Sequence, residues 1–145
     1  TPDSVKQLIS NGHEVLVENN GGFEAGFENE HYTNAGAKIV DKPEDIFNDA
    51  EIIVKVKEPL SNEVKMIKEN QIIFTYLHLA AAKELTEGLV KSKSICIAYE
   101  TVTDNNGSLP LLSVTVSYAI QIDLLLTNPS VNSFAAAKCK YVKTI

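Results

Sequence analysis

Three runs of apolar, largely β-branched residues punctuate the middle of the chain: 52–56 (IIVKV), 72–77 (IIFTYL) and 95–99 (ICIAY). Between them, apolar positions recur at helical spacing. Leu60, Val64 and Ile67 share one face, with Ser61 placed as cap, and Ala81, Leu85 and Leu89 share another. Strand and helix therefore alternate once per roughly twenty residues, the signature of βαβ units and a parallel sheet with right-handed crossovers. The runs are apolar at successive positions, not alternate ones. That predicts strands covered by helices on both faces, a three-layer α/β fold.

The amino-terminal part continues the pattern. Thr1 can cap a helix, Pro2 suits its first turn, Val5, Leu8 and Ile9 give it an apolar face, and Gly12 stops it. Residues 14–18 (EVLVE) read as a strand and 19–22 as a loop. A short helix is expected over 29–35, stopped by Gly36, then a strand near 38–40 and a helical turn over 43–47.

Near Ser113 the chain changes character. Residues 1–113 carry 18 acidic and 10 basic residues, whereas residues 114–145 carry Asp123 and three lysines, with no Glu and no Gly. Residues 114–118 alternate like a strand, 119–126 fit either helix or strand, and 128–130 (NPS) form a turn. The expected division is one domain over 1–113 and a divergent tail over 114–145.

Composition narrows the possibilities. Hydrophobic residues make up 44% and charged residues 22% of the 145 positions, close to globular values, so a packed core is expected instead of disorder. The net charge is −6 and every one of the 13 cationic residues is lysine. An acidic chain without arginine is poorly equipped to grip phosphates, so no nucleic-acid partner is expected. No apolar run reaches the roughly 18–20 residues that span a bilayer, so no membrane partner is expected either; the nearest, 114–126, is broken by Ser117, Gln121 and Asp123. Cys96 and Cys139 make no disulfide framework and lack metal-ligand companions, which reads as reduced thiols of a cytoplasmic protein without a zinc site. The only methionine is Met66 and the chain opens inside a helix cap, so an amino-terminal truncation is expected.

In an open parallel sheet, ligands bind beyond the carboxyl ends of the strands. The three runs end in Lys57-Glu58-Pro59, Leu77-His78-Leu79 and Tyr99-Glu100-Thr101. Lys57 and His78 are 21 residues apart, and His78 and Glu100 are 22 apart, so each interval is one βα unit and all three fall on one edge. A lysine gives a carboxylate a point charge and three donors, and a histidine can pass a proton to a carbonyl-derived oxygen. The pair suits a small anionic carbonyl compound. Taken singly, each residue has a plainer reading: a lysine after a strand is ordinarily solvated, and a histidine between Leu77 and Leu79 is ordinarily a packed side chain. Glu100 reads as a loop or capping carboxylate. Lys55 is expected to turn away from Lys57 toward another partner or solvent, and His13 and His31 are given no role. Gly21, Gly22 and Gly26 have neither the spacing nor the following helix of a dinucleotide fingerprint and read as turn glycines.

The motifs VKVKEPL at 54–60, FTYLHLA at 74–80 and IAYETV at 97–102 resemble the amino-terminal domain of bacterial alanine dehydrogenase. NGHEVLV at 11–17 and LPLL at 109–112 follow the same pattern in order, so the resemblance covers 1 to about 113. It implies a Rossmann-like, mostly parallel sheet whose first strand is missing here, which would leave an unpaired strand edge open to aggregation. It implies NAD-dependent interconversion of L-alanine with pyruvate and ammonia, in a parent that is a homohexamer. It places Lys57 at the substrate-binding lysine and His78 at the catalytic general acid–base. The family's substrate-binding arginine, on the first strand, has no counterpart here. After Ser113 the family stretch leading to the NAD-binding domain is replaced by VTVSY, a break that reads as a truncated or frameshifted coding sequence. NAD would thus be bound by a domain absent from this chain, and the chain alone is expected to be inactive. The related proton-translocating transhydrogenase shares the domain and is one alternative; a non-catalytic remnant that only folds or associates is another.

Overall fold

The threonine hydroxyl of Thr1 accepts a hydrogen bond from the Ser4 amide at 3.4 Å, and Pro2 occupies the first turn. These features start helix α1 (Pro2–Ser10), which buries Ser4, Val5 and Leu8. Gly12, at φ +88°, supplies the left-handed turn that reverses the chain into strand β1 (Glu14–Glu18). A 3-10 turn (Phe23–Ala25) leads to α2 (Asn29–Asn34), β2 (Lys38–Val40), α3 (Pro43–Asp49) and β3 (Ile52–Val54). Then come α4 (Ser61–Val64), β4 (Ile72–Thr75), α5 (Lys83–Ser92), β5 (Ile95–Ala98) and, after a long interval, β6 (Tyr141–Thr144). The computed structural model describes residues 1–108 and 141–144. The elements expected over 114–118, 119–126 and 128–130, and Cys139, lie outside the described residues.

All described strand pairs are parallel and belong to one six-stranded sheet of order β2-β1-β6-β3-β4-β5. Its two faces carry separate apolar clusters. Val15, Val17 and Val54 pack with Val5 and Leu8 of α1 and Tyr32 of α2 on one side. Leu16, Ile53 and Ile73 pack with Ile46 and Phe47 of α3, Ile67 and Leu89 of α5 on the other. Successive residues of one strand serve opposite layers, which is why the runs are apolar throughout. Among the described residues no helix is long and apolar enough to cross a membrane.

Three expectations need correction. The strands end earlier than the apolar runs, β3 at Val54 and β4 at Thr75, because the following residues already turn toward the rim. The helix expected with Leu60, Val64 and Ile67 on one face is a single turn. Leu60 is 62% exposed and its amide is capped by the Glu63 carboxylate at 2.7 Å, so Glu63, not Ser61, does the capping and Glu63 takes the buried position. The expected unpaired edge is not found: β6 lies between β1 and β3 and pairs with both, so the position is an interior one and it is filled.

Candidate functional site

The carboxyl edge of β3, β4 and β5 collects the predicted polar residues. Lys57 stands three residues beyond β3, His78 three beyond β4, and Glu100 two beyond β5. These strands are neighbours in the sheet, so the three positions follow one another along one rim.

Buried groups hold the rim together. The Thr75 side chain, fully buried, donates from Oγ1 to the carbonyl of Lys57 at 2.7 Å. The Tyr99 hydroxyl donates to the carbonyl of Val56, and its ring packs on Phe74 and Tyr76 at centroid distances of 5.7 and 6.2 Å. The segment entering Lys57 is thus fastened by β4 and by the turn that follows β5. Lys57 itself is exposed, and among the described residues its ammonium has no ion-pair partner.

His78 is held differently. Its backbone is left-handed, φ +48° and ψ +41°, a conformation that costs an L residue about 1–2 kcal/mol. Glu100 maintains it: the carboxylate accepts from the His78 amide at 2.9 Å and from the Leu77 amide at 3.1 Å. The neighbouring Leu77 side chain is buried to 1% exposure and anchors the segment in the core. The imidazole is exposed; its Nδ1 is 2.9 Å from the Tyr76 hydroxyl, with the two rings 5.7 Å apart. A hydroxyl can donate to a neutral Nδ1 or accept from a protonated one, so Tyr76 satisfies that nitrogen in both states. Proton exchange is then left to Nε2.

Glu100 is a capping carboxylate, as its sequence position suggests, but its clients lie on the adjoining strand and are invisible in sequence. Tyr76 was not singled out by the pattern of residues. The signal was present in the spacing, since Tyr76 and His78 are two apart just beyond an apolar strand. Lys55 turns from Lys57 as expected, and its partner is Glu63, with which it forms a buried ion pair. His13 is buried at the opposite edge, where a cavity of about 280 Å³ opens beside Glu14 and Lys38, the first residues of β1 and β2. That cavity is on the amino edge of the sheet, away from Lys57 and His78.

The glycines after β1 do not form a dinucleotide fingerprint. Gly21 and Gly22 follow β1 but lead into a 3-10 turn, and a Cβ on Gly22 would lie 2.4 Å from the Tyr32 hydroxyl oxygen. Gly22 is thus needed to let the Tyr32 ring pack against the turn.

The chain has relatives of known sequence and structure. The chain is 52% identical to the alanine dehydrogenase of Staphylococcus epidermidis and 50% identical to that of Bacillus subtilis, each over 113 residues. These matches cover 78% of this chain but only 30% and 29% of the two relatives, so the chain spans about a third of the curated relatives it matches. A solved L-alanine dehydrogenase superposes with a TM-score of 0.72 at 46% identity, covering 77% of this chain and 31% of that one. A transhydrogenase structure from Sinorhizobium meliloti superposes with a TM-score of 0.65 at 20% identity, covering 73% and 30%, a likeness of fold alone. The sequence model of the alanine dehydrogenase/PNT N-terminal domain matches residues 1–119, and the chain belongs to that family.

Proposed function

We propose that this chain is the substrate side of an NAD-dependent alanine dehydrogenase. In this reading the Lys57 ammonium takes the carboxylate of alanine or pyruvate. His78, through Nε2, moves protons on and off the oxygen and nitrogen at the neighbouring carbon as carbonyl, carbinolamine and imine interconvert. Tyr76 fixes the imidazole tautomer, and Glu100 fixes the backbone that carries it. In this reading the hydride passes to NAD bound outside residues 1–113, and Lys57 and His78 act on the substrate alone. The observation that supports the reading best is the placement of Lys57 and His78 three residues beyond adjacent parallel strands, with Thr75 bonded to the Lys57 carbonyl. The proposal extends to a cytoplasmic, homohexameric parent enzyme whose NAD lies on another domain.

The test is a titration of the chain with pyruvate, followed by nuclear magnetic resonance. Pyruvate is expected to shift the His78 ring signals and the amides of 57 and 78, with acetate weaker. Lys57→Met is expected to abolish saturable binding, while His78→Gln keeps it. Equal binding by the Lys57→Met chain would refute the assignment.

A further inference from the structure

The segment that carries Lys57 runs from Lys55 to Leu60 and belongs to no helix or strand. Its entering half is tied through the backbone. The Lys55 amide donates to the Phe74 carbonyl at 3.0 Å, the Val56 carbonyl accepts from Tyr99, and the Lys57 carbonyl accepts from Thr75. Beyond them Glu58 is exposed, and Pro59 is buried and has no amide hydrogen to bond. The leaving half is tied at Leu60, whose amide donates to Glu63 Oε2 at 2.7 Å. The same oxygen meets Lys55 Nζ in the buried ion pair. One carboxylate oxygen therefore joins the two ends of the segment and closes it into a ring, with Lys57 at its exposed middle.

Stability does not account for this arrangement. The Lys55 and Glu63 side chains are 9% and 7% exposed. A lysine–glutamate pair so far from water is often no more stabilising than two apolar side chains of equal volume. Apolar side chains could not accept the Leu60 amide, however, and so could not close the ring. Lys57 itself is exposed and has no ion-pair partner among the described residues, so the backbone beneath it decides where its ammonium stands. With that backbone fixed beforehand, a ligand has only the side-chain torsions of Lys57 left to order.

Resting on the reading of Lys57 as the carboxylate-binding residue, we propose that Glu63 is a positioning residue for it. By holding Lys55 and Leu60 on one oxygen, Glu63 presets the course of segment 55–60, so that alanine or pyruvate meets an ammonium already in place. Lys55 is the inner anchor of this clamp. Its charge is engaged inside the molecule, and of the two lysines Lys57 alone is offered to the substrate.

The test is pyruvate titration of the full chain, followed by nuclear magnetic resonance and hydrogen exchange. Coupling between two equilibria is reciprocal. If the closed ring favours pyruvate, pyruvate favours the closed ring, and saturating pyruvate is expected to slow exchange at the Leu60 amide of the unaltered chain. Lys55→Met/Glu63→Met, an apolar replacement of the pair, is expected to keep a urea stability near the parent's and to bind pyruvate about three- to tenfold more weakly. Lys55→Gln/Glu63→Gln keeps an oxygen for the Leu60 amide and a side-chain bond across the pair, and is expected to return most of the affinity. Parent-like affinity in the methionine pair, no recovery in the glutamine pair, or Leu60 exchange indifferent to pyruvate would each overturn the positioning role. In those cases loss of binding by Lys57→Met would leave the reading of Lys57 intact. Absence of saturable pyruvate binding by the unaltered chain would remove both.

Discussion

The left-handed backbone of His78 separates what this residue does for folding from what it does for chemistry. A glycine there would relieve about 1 kcal/mol of conformational strain. His78→Gly is therefore expected to unfold no more easily than the parent chain in urea, while losing the His78 resonances that pyruvate shifts. A residue kept purely for stability would behave in the opposite way. Glu100 is the counterpart. Its carboxylate serves the two amides of Leu77 and His78, and hydrogen bonds to a charged acceptor contribute roughly 1.5–3 kcal/mol in all where they are well formed. Glu100→Ala is expected to lower stability by about 1–3 kcal/mol and to broaden the signals of Leu77 and His78. Tyr76→Phe tests the tautomer. It removes the hydroxyl at Nδ1, so the nitrogen shifts of the neutral imidazole are expected to move toward a mixture of tautomers. The chain has three histidines, which keeps the measurement tractable. Of these residues only Lys57, His78 and Glu100 could be placed from the sequence, because strand ends and βα spacing locate them. The bond from Glu100 to the neighbouring strand could not be foreseen, since it joins positions 22 apart through backbone geometry alone.

Among the elements, α4 departs furthest from the periodicity. Its apolar stripe would bury Leu60, yet Leu60 is exposed and Glu63 is buried at 6%. The reason is Lys55. That lysine is drawn inward just after β3, and the core accepts it only with a carboxylate beside it and the Leu60 amide on the same oxygen. Apolar periodicity cannot register an ion pair that points into the molecule. Glu63→Ala leaves a buried, unpaired ammonium and is expected to lower the unfolding free energy by about 3–5 kcal/mol, measured by urea denaturation. Replacing both partners with methionine is expected to recover most of that loss. A second contact fixes how α4 meets α5. A Cβ on Gly88 would lie 2.6 Å from the Val64 Cγ1 atom. Gly88→Ala should gain helix propensity, yet the clash reverses the sign, with a net loss of about 1–2 kcal/mol expected; Val64→Ala added to it is expected to restore stability.

For the whole molecule, the parallel α/β architecture was legible because each buried strand announces itself as an uninterrupted apolar run. β6 was not, because Tyr-Val-Lys-Thr is short and carries a charge where such strands have none. The division of labour between helices on the two faces was equally legible, since Leu16 and Val17 belong to opposite clusters one residue apart. What the chain can do alone follows from the same inventory. The chain spans about a third of the relatives it matches, so mixing the purified chain with alanine and NAD is expected to give no rise in absorbance at the reduced nicotinamide band; measurable turnover would contradict this.

The central place of β6 also has a bearing on biosynthesis. The pair β2-β1 and the trio β3-β4-β5 are translated well before residue 141, and among the described residues they share ladders only through β6. Joining the two groups therefore depends, among the described residues, on pairings distant in sequence, the kind that forms slowly and leaves strand edges open while it does.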